Sequence, residues 1–441
     1  MNHTEKLDLL CKSIKDKVAK KAAVTFEKSS VSHFVPNPDD PRFKREKINI
    51  RDFNEILSID TENNTCTAES GVTFEKLVAA TLEHGLIPKC VPELRTITIG
   101  GAVSGCSVES MSYKFGGFHD SCTEYETVTS DGNIVICSEN ENSDIFHLLH
   151  NSFGTLGVIT SLKFKLIKAK PYVKMNYVVK NTIEEYRDFL AESMSSNEID
   201  FIDGIVFGPD HFTACLGIMT DEVPYLSSYQ GTEIYHRSVQ TKNQDYMKIQ
   251  DYFFRYDHDC HWLTETIPPL TLKPVRKLFG RWFLGSTNLI KWSKRLRYIM
   301  KMKRRPEVVV DVFIPGKNFV PFLEWYKSDF SFYPLWVVPY RYPEVYPWIN
   351  PQFAEGMGDD NLIIDFAVYG KKNNNPNLDY SKLLEDKVYE LNGVKTLISR
   401  NHYTEKRFWE IYNEPAYSDV KKRMDPAGLF LDIYSKFNNQ K

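Results

Sequence analysis

A glycine-rich segment near residue 100 has the residue types that suit an anionic dinucleotide. Residues 98–105 read Thr-Ile-Gly-Gly-Ala-Val-Ser-Gly. Adjacent glycines adopt backbone conformations that other residues avoid, and they let backbone amides approach a ligand closely. Successive exposed N–H groups form a concave site for a pyrophosphate, and small side chains leave room for a flat ring system. Taken alone, however, a pair of glycines favours a simple tight turn between strands.

Two downstream segments strengthen the dinucleotide interpretation. Asp131-Gly132 lies between two β-rich runs and predicts a hairpin, and residues 154–160 read Gly-Thr-Leu-Gly-Val-Ile-Thr. No G-x-G-x-x-G motif follows a strand and no Walker A sequence occurs, so neither a Rossmann domain nor a P-loop is supported. The combined pattern resembles the flavin-binding domain of the vanillyl-alcohol-oxidase superfamily, of the p-cresol methylhydroxylase (PCMH) type.

A polar run after the glycines narrows the resemblance to one branch. Residues 107–116 read Ser-Val-Glu-Ser-Met-Ser-Tyr-Lys-Phe-Gly, which is similar to the Glu-Ser-Ser-Ser-His-Lys-Tyr-Gly run of Δ24-sterol reductases. Tyr113 stands where that family has histidine. Further similar stretches are residues 122–126, 138–146, 169–174, 217–222, 333–336 and 408–410. The similarity runs from about residue 7 to residue 434, and the chain is identified as a member of that family.

The resemblance implies a non-covalent FAD, with NADPH as the electron donor and a sterol or isoprenoid lipid as the substrate. The positions that it assigns to the cofactor are Pro92, Glu93, Thr98, Ile99, Gly100, Gly101, Ala102, Val103, Ser104, Gly105, Cys106, Ser107, Val108, Glu109, Ser110, Gly154, Gly157, Val158 and Ile159. One departure concerns the first phosphate loop, which is usually glycine-rich. Residues 25–33 have serines but no glycine here, so this part of the pyrophosphate site is left open.

Reduction of an isolated alkene needs a positioned proton donor in a dry apolar cavity. Two residues beside the predicted flavin segment are candidates. Tyr113 carries a suitable proton, and Glu109 could orient the flavin if it is buried or could simply form an ion pair. A polar cluster at residues 257–262 with Glu265 matches no standard set of metal ligands, and we expect surface-loop histidines there and no metal site.

A basic and aromatic stretch lies in the second half of the chain. Residues 266–306 contain twelve lysines and arginines and no acidic residue, interleaved with large apolar side chains. Such a pattern at residues 273–305 is typical of a segment at a membrane surface, and a solvated helix that covers the second domain is the alternative. The net charge of −3 argues against nucleic-acid binding.

Length and hydrophobic periodicity set the framework that positions these residues. The 441 residues, 42% of them hydrophobic, fit two globular domains. Helical spacing at residues 5–21, a helix capped by Thr73 and an alternating strand from Val158 predict an α+β fold. We expect a PCMH-type FAD-binding domain over residues 1–172, a substrate or cap domain with an antiparallel sheet covered by helices over 173–395, and a helical segment over 396–441 that packs back on the first domain.

The cysteines and the N-terminal sequence indicate the cellular compartment. The eight cysteines form no C-x-x-C pair, which is typical of reduced thiols in a cytosolic protein. The first residues are polar and no run of 18 apolar residues occurs, so we expect a cytoplasmic protein, peripheral to a membrane at most and not secreted.

Three functional classes follow from these patterns. The leading hypothesis is an FAD-dependent oxidoreductase that reduces the Δ24 double bond of a sterol or related isoprenoid side chain with NADPH. The second is an FAD-dependent alcohol or sugar oxidase or dehydrogenase of the same superfamily. The third is a membrane-peripheral lipid-binding protein without enzymatic activity, which the altered loop at residues 25–33 keeps open.

Overall fold

Two large β-sheets, built from successive parts of the chain, form the framework of the protein. The computed structural model describes residues 1–29, 44–266, 268–288, 292 and 307–438. The first sheet has six strands: Ile56–Asp60, Thr65–Glu69, Leu86–Pro88, Cys122–Val128, Ile134–Ser138 and Val158–Lys168. The second has eight: Tyr172–Lys180, Phe201–Gly208, His211–Thr220, Gln244–Lys248, Val308–Pro315, Leu335–Arg341, Leu362–Lys371 and Val394–Lys395. Strands Val24–Glu27 and Glu46–Asn49 form a separate parallel pair.

The first sheet is antiparallel and is organised around its longest strand. Val158–Lys168 pairs with Thr65–Glu69 and Cys122–Val128 on its two sides, and its C-terminal end pairs with Leu86–Pro88. The hairpin predicted at Asp131-Gly132 is confirmed: it joins Cys122–Val128 to Ile134–Ser138, and Gly132 has a positive φ of 75°. Only a glycine adopts that conformation without strain, which explains the residue at this turn.

Five helices precede or separate the strands of the first sheet along the chain. Their bounds are His3–Ala19, Phe74–Leu82, Ile99–Ser104, Ser112–Phe115 and Ser143–Leu149. The predicted N-terminal helix is confirmed, because Leu7, Leu10 and Ile14 are buried on one face and Asn2 caps its first turn. The predicted cap of the next helix is also present, since the Thr73 hydroxyl accepts a hydrogen bond from the backbone of Lys76.

The second sheet is antiparallel and its two faces differ. Its order is Gln244–Lys248, Tyr172–Lys180, His211–Thr220, Phe201–Gly208, Leu335–Arg341, Leu362–Lys371, Val308–Pro315 and Val394–Lys395. Helices Ile183–Met194, Phe319–Trp325 and Tyr380–Glu390 cover one face. The opposite face shares a hydrophobic core with the first sheet, in which Trp336 and Ala367 belong to the same cluster as Tyr125 and Phe164. The predicted α+β class, with a helix-covered antiparallel sheet in the second part, is confirmed.

The remaining helices lie in the connections of the second sheet and at the C-terminal end. They are Tyr235–Val239, Ile249–Phe253, Leu263–Thr266, Lys273–Phe283, Pro351–Glu355, Glu405–Ile411, Glu414–Met424 and Ile433–Asn438. The last two return to the first half of the chain, where Tyr417 Oη donates to Thr155 Oγ1 at 2.9 Å and Lys436 Nζ donates to the Phe153 carbonyl. They therefore brace the loop at residues 153–157.

Helix length and composition also bear on a membrane span. None of the helices in the described ranges is both long and apolar enough to cross a lipid bilayer.

Candidate functional site

A cleft opens at the edge of the first sheet, beside the glycine-rich segment. It lies where helix Ile99–Ser104 begins, where strand Val158–Lys168 begins and where strand Val24–Glu27 ends. The residues that line it are Phe26, Lys28, Ser29, Ile50, Ser70, Gly71, Thr98, Gly100, Gly101, Ser104, Phe153, Gly154, Gly157, Val158 and Ile159. Eight of the predicted cofactor positions are therefore brought together here: Thr98, Gly100, Gly101, Ser104, Gly154, Gly157, Val158 and Ile159.

The glycine pair opens a helix instead of forming a turn between strands. The Ile99 N–H donates to the Val72 carbonyl at 2.9 Å and the Gly100 N–H to the Ser70 carbonyl at 2.8 Å. These two amides are thus already engaged, so the predicted row of free N–H groups does not include them. Gly100 is required sterically, because a Cβ there would lie 2.6 Å from the Cβ of Ser70. At Gly101 a Cβ would have only Thr98 Oγ1, at 3.1 Å, as a close neighbour.

Other predicted positions of the same segment lie outside the cleft lining. Ile99, Ala102 and Val103 are completely buried in the core, because the helix turns that face toward the sheet. The chain then runs from Gly105 and Cys106 through Ser107, Val108, Glu109 and Ser110 toward the second sheet, where the Ile202 N–H donates to the Ser110 carbonyl at 2.7 Å. Pro92 and Glu93 lie in the preceding loop, and Pro92 is buried. The segment therefore links the cleft to the interface between the sheets.

Sequence reasoning predicted about half of the cleft lining and left open the contribution of the loop at residues 25–33. Phe26, Lys28 and Ser29 belong to the loop that lacks the expected glycine, and they nevertheless line the cleft. Gly154, with a positive φ of 71°, explains part of this arrangement, because a Cβ there would lie 2.6 Å from the Phe26 ring. The last part of this loop, including His33, lies outside the described residues. No local sequence pattern marked Ser70 and Gly71 as site residues, because only the pairing of distant strands brings them to the cleft.

The lining suits the diphosphate part of FAD. It combines four hydroxyl side chains, five glycines and the ammonium of Lys28, with Phe26 and Phe153 as apolar walls. Hydroxyls, close backbone and a cation stabilise an anionic pyrophosphate, and aromatic walls accommodate a flat ring. A bound FAD would be held by these groups and would supply hydride transfer, while the protein supplies orientation and electrostatics.

A fully buried ion-pair network lies where the segment reaches the second sheet. Arg255 Nη2 is 2.9 Å from Asp203 Oδ2 and 3.4 Å from Glu109 Oε1. Tyr256 Oη and Trp336 Nε1 donate to the same Asp203 oxygen at 2.8 and 2.9 Å. Burial raises the pKa of Glu109, and the neighbouring guanidinium partly offsets this rise. Glu109 is therefore both buried and ion-paired, and the network joins the two halves of the chain.

A second group of carboxyls lies near this network. Tyr369 Oη donates to Asp311 Oδ1 at 2.6 Å, and burial raises the pKa of Asp311 to about 6. Burial, then the nearby carboxylates of Asp311 and Glu93, raise the pKa of Asp365 well above its usual value. Burial and the charge of Glu109 raise that of Glu93. The interior between the sheets thus holds carboxyls that favour their neutral, protonated form.

Comparisons with known proteins agree with this geometry. Residues 30–138 match the model of a family described as FAD binding domain. Over 411 residues the chain is 27% identical to the Δ24-sterol reductases of Macaca fascicularis and Homo sapiens, covering 89% of this chain and 77% of each relative. It is 24% identical over 475 residues to the enzyme of the same name from Arabidopsis thaliana, covering 98% of this chain and 84% of the relative. The chain is similar to Δ24-sterol reductases over about nine tenths of its length. It is accordingly an FAD-dependent oxidoreductase that acts on a carbon–carbon double bond.

Tyr113 was the first of the two predicted proton donors. It lies in the hydrophobic core between the second sheet and the helices that cover one of its faces. Its hydroxyl donates to the Ile199 carbonyl at 2.5 Å, and burial raises its pKa well above the usual range. It is 5% exposed and is not among the residues that line the cleft. These contacts describe a side chain that anchors helix Ser112–Phe115 to the second half of the chain.

The cluster at residues 257–262 was expected on the surface, and this prediction is wrong. Asp257, Asp259, Cys260 and Trp262 are buried. Asp257 accepts hydrogen bonds from the Arg95 backbone and from the Ser286 hydroxyl, and Asp259 pairs with His236 at 3.0 Å. The local sequence looked like a loop because it is polar, but its polar groups are satisfied by partners far along the chain. Among the described residues no His, Cys, Asp and Glu cluster has the arrangement of a metal site.

Proposed function

We propose that this protein uses NADPH to reduce the Δ24 double bond of a sterol or a related isoprenoid side chain. The observation that carries the proposal is the name shared by relatives that match most of this chain, together with the FAD-binding domain. The cleft supports it, because its hydroxyls, glycines and lysine suit a pyrophosphate. We assign the pyrophosphate to this cleft and the flavin ring to the side of residues 105–110, which leads to the second sheet.

The reaction places two requirements on the protein's own residues. The Δ24 double bond is not electron-poor, so a proton must be added to the less substituted carbon as hydride reaches the tertiary carbon. Proton transfer requires a neutral acid within reach of the alkene, and the cationic character that develops requires a site from which water is excluded. Buried carboxyls with raised pKa values and apolar strand residues lie where the two sheets meet, and this environment suits both requirements.

We also propose that the protein contacts a membrane through helix Lys273–Phe283. Leu278 is 64% exposed, Trp282 47% and Phe279 44%, and Leu272 precedes them at 58%. Exposed large apolar side chains beside lysines favour the interface of a bilayer with anionic lipids. The rest of the basic segment at 273–305 lies mostly outside the described residues. Such a contact would bring the protein to a lipid substrate, because sterols are delivered from membranes.

Anaerobic stopped-flow absorbance of the flavin tests the proposed reaction. NADPH is added first to the FAD-loaded protein, and a Δ24 sterol such as desmosterol in detergent micelles follows. The proposal predicts bleaching of the flavin by NADPH and recovery of its colour on addition of the sterol. A sterol with a saturated side chain is the matched control and should restore no colour.

The other outcomes point to the two competing functions. A yellow protein that NADPH does not bleach, but that consumes oxygen with an alcohol, would replace the proposal with an alcohol or sugar oxidase. A colourless protein that cannot be reconstituted with FAD would favour a lipid-binding protein without enzymatic activity.

A further inference from the structure

Three strands of the second sheet each carry one aspartate within an otherwise apolar run. Asp203, Asp311 and Asp365 lie in Phe201–Gly208, Val308–Pro315 and Leu362–Lys371. Side chains alternate between the faces of a strand. In each of these strands the residues two positions away lie on the side of the core shared with the first sheet, so all three carboxyls point to the interface with the FAD-binding domain.

Among the residues that the structure describes, only Asp203 of the three aspartates has a cationic partner. Asp203 is neutralised by Arg255 at 2.9 Å. Asp311 has instead the Tyr369 hydroxyl at 2.6 Å, and Asp365, which is 2% exposed, has one carboxylate oxygen with no hydrogen-bond partner. Within the described part of the chain neither Asp311 nor Asp365 forms a salt bridge. A buried carboxyl without a cation has a raised pKa, because ionisation in that environment is costly.

Two of the interior acids are partly accessible. Asp311 and Glu93 both keep accessible surface, as do Val309 and Phe313 on the same face of the Asp311 strand. Asp365 lies opposite Phe313 in the adjacent strand, and Asp311 lies two residues before Phe313, so the two aspartates are diagonal neighbours on one face of the sheet. Glu93 comes from the loop before the glycine-rich segment, in the first half of the chain.

We propose that Asp311 is the catalytic residue that donates the proton to the alkene, and that Tyr369 is the positioning residue that orients its carboxyl. This inference rests on the proposed reduction. In the step, the O–H bond of Asp311 breaks and its proton forms a C–H bond with the π electrons at the less substituted carbon. The hydride that NADPH provides by way of FAD forms the second C–H bond at the tertiary carbon. Asp311 is left as a carboxylate and regains a proton from water, and NADPH is converted to NADP⁺.

The structure favours Asp311 over the two donors suggested by sequence. Glu109 faces the guanidinium of Arg255, which stabilises its ionised form. Tyr113 already donates its proton to the Ile199 carbonyl and lies in the other core. Asp311 has both an accessible carboxyl and a neighbour, Tyr369, that orients it. Lys395, on the adjacent strand, does not compensate its charge, because it pairs with Glu385 at 3.2 Å.

The test combines Asp311→Asn with the two half-reactions of the FAD-loaded protein. We expect bleaching by NADPH to stay within about twofold of wild type and colour recovery with the sterol to slow by about 100-fold or more, the usual contribution of a general acid. Asp329→Asn, at an exposed carboxylate, is the control and should change neither rate. Recovery at the wild-type rate in Asp311→Asn would overturn the proposal.

Infrared spectroscopy gives a readout that does not depend on turnover. A carbonyl band of a protonated carboxyl that titrates near pH 6 should be present in the wild-type protein without sterol and should be lost in Asp311→Asn, while the bands of the other buried acids remain. Absence of that band would contradict a neutral Asp311. If wild type shows the band but no Δ24 sterol restores the flavin colour, the proposed reduction fails while the buried neutral acid stands.

Tyr369→Phe covers the case in which Asp311→Asn does not fold. The Tyr369 hydrogen bond lowers the pKa of Asp311, so its loss raises that pKa. The rate of colour recovery should then decline at a higher pH than in wild type. The groups that face Asp311 in this titration are Tyr369, Asp365, Glu93 and Glu109. An unchanged pH profile would contradict the assignment.

Discussion

The guanidinium of Arg255 and the carboxylate of Asp203 form an ion pair of 2.9 Å with both side chains completely buried. Arg255 also lies over the ring of Tyr252, 4.1 Å from its centroid, and Tyr252 Oη donates to Ser110 Oγ at 2.8 Å. One arginine therefore connects the second sheet to the segment that follows the glycine pair. Its geometry fixes where the FAD-binding domain meets the sheet.

Removal of this arginine should be strongly destabilising. Arg255→Met leaves the carboxylates of Asp203 and Glu109 buried without a cation, and breaking a buried pair in this way costs about 3–5 kcal/mol. Urea unfolding followed by circular dichroism measures the loss. Arg187→Met, at an exposed pair with Asp188, is the control and should change stability by less than about 0.5 kcal/mol. A loss at Arg255 no larger than at Arg187 would show that the network does not hold the halves together.

The glycine pair predicts a graded effect on FAD affinity. Gly100→Ala pushes its methyl group against Ser70, which lines the cleft, and should weaken FAD binding by about tenfold, or ~1.4 kcal/mol. The added methyl group of Gly101→Ala has only one close neighbour in the protein, so the fold should be retained. That methyl group would lie beside the bound cofactor. Titration of the apoprotein with FAD, followed by quenching of flavin fluorescence, measures both. Gly208→Ala, which meets nothing within 4 Å, should bind as wild type does.

The exposed face of helix Lys273–Phe283 predicts binding to lipid vesicles. Leu278→Ser combined with Trp282→Ser removes two exposed apolar side chains and should weaken flotation with phosphatidylserine-containing vesicles by at least about tenfold. The matched control is Ile134→Ser with Ile136→Ser, which removes exposed apolar side chains from the hairpin of the first sheet. Equal losses in the two double variants would mean that the helix has no special role.

Asp311 predicts an unusual dependence of stability on pH. Its pKa in the folded protein is raised from 3.8 to about 6, so the folded state binds the proton more tightly than the unfolded state. The stability this contributes is fully present below about pH 4 and is lost as pH rises through 6. Asp311→Asn, which cannot ionise, should therefore melt a few degrees higher than wild type at about pH 8 and at nearly the same temperature at about pH 4. Melting curves that differ equally at both pH values would contradict this.

Local features of the fold were predictable, whereas the composition of the site was only partly so. The Asp131-Gly132 turn and the helix that begins after Thr73 depend on neighbours in sequence, and they were predicted correctly. The buried position of Asp257 depends on Arg95 and Ser286, which lie far away along the chain. Its polar sequence neighbours therefore led to the wrong prediction of a surface loop.

The three interior aspartates could have been recognised from the sequence. Phe-Ile-Asp-Gly-Ile, Val-Val-Asp-Val-Phe and Ile-Ile-Asp-Phe-Ala each place one carboxyl inside an apolar strand, at Asp203, Asp311 and Asp365. Since burying a charge is costly, such residues usually have a partner or a function. Arg255 could not be recognised in the same way, because its partner Asp203 is 52 residues away.

Product analysis tests the central claim most directly. The FAD-loaded protein is incubated with NADPH and a Δ24 sterol, and the extracted sterol is identified by gas chromatography and mass spectrometry. Our account predicts a sterol with a saturated side chain, two hydrogens heavier than the substrate, formed only when both NADPH and FAD are present. Unchanged sterol from a protein whose flavin NADPH does reduce would contradict it.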